Sequence, residues 1–84
     1  GADATLFSGG KPNIEASGRD TVVITKTRGG TVKVPAGSNP TIIVGRYAMT
    51  SIEVECGGSV LIVSDSASLD LADGPGVTFV GRKR

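Results

Sequence analysis

The tetrads Thr21-Val22-Val23-Ile24, Thr31-Val32-Lys33-Val34, Thr41-Ile42-Ile43-Val44 and Ser51-Ile52-Glu53-Val54 recur at ten-residue intervals. Each is a small polar residue followed by apolar, any, apolar, and Gly- or Pro-bearing turn material separates it from the next, which is the pattern of short strands. The beat continues less strictly through Ser59-Val60-Leu61-Ile62-Val63, Ser68-Leu69-Asp70-Leu71 and Val77-Thr78-Phe79-Val80. About seven short strands follow, and the class is all-β.

Working outward, alternation assigns faces within each block. Val32 and Val34 point one way and Lys33 the other, and Ile52, Val54 and Cys56 oppose Glu53 and Glu55. The Thr21 and Thr41 blocks are apolar on both faces. Gly29-Gly30 allows a tight hairpin turn, Pro35 ends pairing before the loop of residues 36–40, and Asp73-Gly74-Pro75-Gly76 is another turn signal. Tyr47 and Met49 are expected to cap the core, the alternative being a small exposed patch for a partner. Two architectures fit: a small antiparallel sandwich or squashed barrel of about seven short strands, and, as the alternative, a β-solenoid or an interwoven trimeric β-structure. The beat drifts after Val54 and the connections match hairpin loops, so the antiparallel form is preferred.

Residues 1–20 lack a sustained alternating run, and only Leu6, Phe7 and Ile14 can anchor them. They read as an N-terminal arm that adds to a neighbour's sheet edge, or as an edge strand of the same domain. Residues 21–84 form a single β domain.

Composition bounds the chemistry. A chain of 84 residues makes one small domain that buries only about 60% of its unfolded surface, so a partner surface would help it. One cysteine and no histidine exclude an intrachain disulfide and a Cys/His zinc site. Cys56 reads as a buried small hydrophobe, and Glu53 with Glu55 as solvated charges on one strand face. Gly9-Gly10-Lys11 lacks P-loop spacing. Asp65, Asp70 and Asp73 do not match a calcium loop, and Asp65 and Asp73 read as turn caps. No catalytic residue, cofactor or metal is expected, and the chain is read as a non-enzyme. No stretch approaches a membrane helix and no secretion signal is visible.

Charge is uneven along the chain. Residues 21–50 carry Lys26, Arg28, Lys33 and Arg46 with no acid, whereas residues 51–80 carry Glu53, Glu55, Asp65, Asp70 and Asp73 with no base. These opposite signs are expected to meet across the sheet within the chain, the alternative being oppositely charged faces that dock between neighbouring copies. The tail Arg82-Lys83-Arg84 adds three positive charges that read as a solubilising terminus or, as the alternative, a contact to an acidic protein neighbour. Neither a broader basic patch nor an aromatic stacking platform is evident, so nucleic acid is not expected.

A short, Gly-rich, Val/Ile/Thr-rich β chain with a loose start and no catalytic residue types resembles the small accessory proteins of tailed-phage virions, of the capsid decoration or cement type. The resemblance is one of style and carries no motif. It implies a structural protein that forms a homo-oligomer, a trimer foremost, and attaches to coat or tail subunits in a virion assembled in the host cytoplasm. Leu6, Phe7, Arg82, Lys83 and Arg84 are the candidate partner-binding residues. A tail or fibre-tip module, and a monomeric sandwich that binds peptide or carbohydrate, are the alternatives.

Overall fold

Alternation in the tetrads and in the Ser59 block places Val22, Ile24, Val32, Val34, Ile42, Val44, Ile52 and Ile62 on inward-facing positions, and all are at most 3% exposed. The computed structural model describes residues 4–55, 57–72 and 74–84. Among these the strands are β1 Ala4–Ser8, β2 Asn13–Glu15, β3 Thr21–Thr25, β4 Arg28–Val34, β5 Thr41–Val44, β6 Met49–Val54, β7 Val60–Asp65, β8 Asp70–Ala72 and β9 Val77–Arg82.

Odd strands form one sheet in the order β1-β3-β5-β7-β9, and even strands form a second in the order β2-β4-β6-β8. Every pairing is parallel. The chain therefore crosses from one sheet to the other and back with each turn, a two-sheet β-solenoid. Thr21 pairs with Thr41 and Thr41 with Leu61, so the central coils advance by 20 residues, twice the beat of the tetrads. End coils are tighter, with Ala4 on Thr21 and Val60 on Val77.

This overturns the antiparallel sandwich or barrel and its seven strands in favour of the solenoid alternative. The corners explain why. A hairpin tip would be exposed, yet Thr27, between β3 and β4, is 1% exposed and its Oγ1 donates to the Met49 carbonyl at 3.1 Å in the next coil. Lys26 makes the bend with φ 53°, a left-handed conformation uncommon for a side-chain-bearing residue. Gly29 and Gly30, read as a hairpin turn, instead lie inside β4. At Gly30, φ is 103° and a Cβ would overlap the Pro12 carbonyl, so the first coil can sit directly on the second only because this residue has no side chain.

Like stacks on like in the core. Val22, Ile42 and Ile62 form one row and Val32, Ile52 and Leu71 face them from the other sheet. The two phenylalanines stand on the outermost strands, Phe7 on β1 and Phe79 on β9, half-buried against the ends of the core. Corner hydroxyls tie each coil to its neighbour: Thr50 Oγ1 donates to the Gly30 carbonyl at 3.3 Å, and Ser66 Oγ donates to the Ala48 carbonyl. At the opposite corner Gly58 lies so close over Ser38 that a Cβ would overlap the Ser38 carbonyl oxygen.

Candidate functional site

The outer surface of the five-stranded sheet is set by the second member of each alternation. Parallel register aligns Leu6, Val23, Ile43, Val63 and Val80 into one row across all five strands. Leu6 is 65% exposed and Val80 53%, while Ile43 and Val63 are 39% and 38% exposed. The adjoining row is Ala4, Thr21, Thr41, Leu61 and Thr78, so neither row carries a charge. Flat parallel sheets are normally covered on both faces, and this one leaves a contiguous apolar strip in water.

The other sheet presents a different surface. Its outer rows run Asn13, Thr31, Ser51, Asp70 and Glu15, Lys33, Glu53, Ala72. Lys33 lies in register between two carboxylates, so some of the opposite charges of the two halves do meet across the sheet. A solvent-open depression beside β2 is lined by Asn13, Glu15, Thr31, Lys33, Pro35 and Glu55. Its Glu55 accepts from the Ala36 backbone N–H at 3.3 Å.

The corners between odd and even strands stack into a third surface. Lys11 in the first corner lies against Gly29, its Cγ 3.4 Å from where a Cβ would stand, and the Arg28 N–H donates to the Gly10 carbonyl at 2.7 Å. Arg28 pairs in register with Met49, Arg46 Nε reaches Asp65 Oδ2 at 3.4 Å, and Asp65 pairs with Arg82. Lys83 holds its ammonium 5.3 Å above the Phe79 ring, and the Arg84 N–H donates to the Leu69 carbonyl at 2.8 Å. Tyr47, 73% exposed, projects from the same edge.

No protein family, curated protein or solved structure matches the chain. The site is therefore read from geometry.

The candidate residues separate. Leu6 and Phe7 are neighbours on one strand, so alternation sends Leu6 outward and Phe7 toward the core. The tail Arg82-Lys83-Arg84 lies along the last coil, continuing its ladder, and contributes to the corner surface. Tyr47 and Met49 do not cap the core: they are 73% and 52% exposed, and buried Ala48 between them fills the corner instead. Asp65 meets Arg46. The readings of Cys56 and Asp73 fall outside the described residues. Sequence reasoning missed Val23, Ile43, Val63 and Val80, although strands apolar on both sides were the signal for them.

Proposed function

We propose that this chain is a non-enzymatic structural module that associates with copies of itself and attaches to a larger protein assembly through the outer face of the five-stranded sheet. The uncharged row from Leu6 to Val80, in register on every strand of that sheet, carries the reading. Solvated sheet faces ordinarily alternate apolar-in with polar-out, and the four-stranded sheet of this same chain does so.

Magnitudes say what kind of contact this face makes. Five strands spaced ~4.8 Å apart, each about five residues long at ~3.3 Å per residue, give a face of about 400 Å². Two copies meeting through it bury about 800 Å² in total, around half of a standard interface. Self-association through this face alone is thus weak, and firm attachment needs a broader surface or many copies. Virion decoration, which the compositional resemblance implies, is one setting of that kind.

The test is Ile43→Lys with Val63→Glu. These positions are direct cross-strand neighbours, so the pair places opposite charges side by side and spares the sheet while removing the centre of the apolar row. Light scattering across micromolar to millimolar concentrations should show a rising mass for the native chain and a monomer throughout for the variant. A native chain that stays monomeric at every concentration, or a variant that associates equally well, rules out the face.

A further inference from the structure

Seven of the nine basic residues, scattered from Lys11 to Arg84 in sequence, come together on the corner edge. They arrive coil by coil: Lys11, then Lys26 and Arg28, then Arg46, then Arg82 to Arg84. Among the described residues the acids at or beside this edge are Asp65, which engages Arg46, and Asp70, which opens β8 one row away. Glu15 and Glu53 lie on the outer face of the other sheet, and Asp20 and Glu55 lie at the far corner with Arg19. Among the described residues, seven positive charges against two negative leave an excess of five on this edge.

From this geometry we propose that the corner edge binds the phosphate backbone of nucleic acid, without reading its sequence. Parallel stacking sets its length: four strand spacings of ~4.8 Å make it about 19 Å long. A duplex carries a charge every ~1.7 Å of axis, so about eleven phosphate charges lie along that length, more than enough for the cations present. Four of the seven are arginines, whose guanidinium forks match phosphate oxygens. Arg and Lys heads on this edge match phosphate oxygens, so contacts stop at the backbone, and exposed Tyr47 at the same edge offers an aromatic face to an unpaired base. A fluid anionic membrane would gain nothing from linear spacing, which is why a linear polyanion is the better fit.

Fluorescence anisotropy with a labelled mixed-sequence duplex tests this. About five phosphate contacts predict that log K falls with log salt concentration with a slope of about −4 to −5. Lys26→Asn with Arg28→Gln and Arg46→Gln removes three cations while keeping, in asparagine, a residue that tolerates the left-handed bend. The slope should flatten by about 2.7 and affinity at ~0.1 M salt should drop about 500-fold, as counterion release requires. Arg19→Gln with Lys33→Gln, off the edge, should change neither. The proposal is overturned by an absence of binding at about 50 mM salt, by an equal loss in the off-edge pair, or by capture on anionic vesicles in preference to the duplex.

Discussion

Ile42 and Ile43 are adjacent, chemically identical, and placed by the solenoid on opposite sides of β5. Ile42 is fully buried between Val22 and Ile62, whereas Ile43 is 39% exposed between Val23 and Val63. Replacing each by threonine keeps the β-branch and strand propensity, so only environment differs. At Ile42 the change removes about two carbons' worth of burial, roughly 1.6 kcal/mol, and leaves a hydroxyl in an apolar row at a further ~1–3 kcal/mol. A loss of about 3 kcal/mol corresponds to a melting temperature lower by ~12–24 °C in a domain of this size. At Ile43 the same carbons are already partly in water and the hydroxyl is solvated, so the loss should not exceed ~1 kcal/mol, or ~4–8 °C. Thermal unfolding followed by circular dichroism reads both. Equal losses at the two positions would mean that both faces of this strand are covered, which contradicts an exposed Ile43.

Three further outcomes follow from the same geometry. Gly58→Ala forces a Cβ into the Ser38 carbonyl oxygen, so it should cost roughly 2–4 kcal/mol by denaturant titration, and a neutral result would mean the corners do not stack. Leu6→Asp should leave the melting temperature nearly unchanged, whereas Phe7→Asp, at the end of the core, should lower it by ~8 °C or more; matched effects would contradict the placement of β1. Lys26→Asn should raise stability by a few tenths of a kcal/mol, since asparagine relieves a left-handed bend, and a clear destabilisation would argue against that corner.

The period-two alternation made the inward residues legible, because side-chain direction along a strand does not depend on which strand it pairs with. Direction of pairing was harder. A ten-residue strand and turn can reverse into a hairpin or cross to a second sheet, and both bury Val32, Val34, Ile42 and Val44. The deciding signal lay in the outward positions. Thr21-Val22-Val23-Ile24 and Thr41-Ile42-Ile43-Val44 carry apolar Val23 and Ile43 where Thr31-Val32-Lys33-Val34 and Ser51-Ile52-Glu53-Val54 carry charged Lys33 and Glu53. The true period is therefore twenty, and strands of one kind pair with their own kind.

Surface features were less legible than the core for the same reason. The apolar row and the basic edge exist only after register is known, since Lys11, the pair Lys26 and Arg28, and Arg46 sit in successive corners and become neighbours through stacking. The tail Arg82-Lys83-Arg84 was visible as a charge cluster, but its position along the last coil depends on the Arg84 N–H meeting the Leu69 carbonyl. Chain-end composition carries no trace of that bond.

Interstrand backbone contacts measured by nuclear Overhauser effects test the central claim most directly. A parallel solenoid predicts contacts between residues twenty apart, linking Thr21 to Thr41 and Thr41 to Leu61, with no close Hα–Hα pairs across Gly29-Gly30. Strong Hα–Hα contacts between residues flanking Gly29-Gly30, as a hairpin requires, would contradict it.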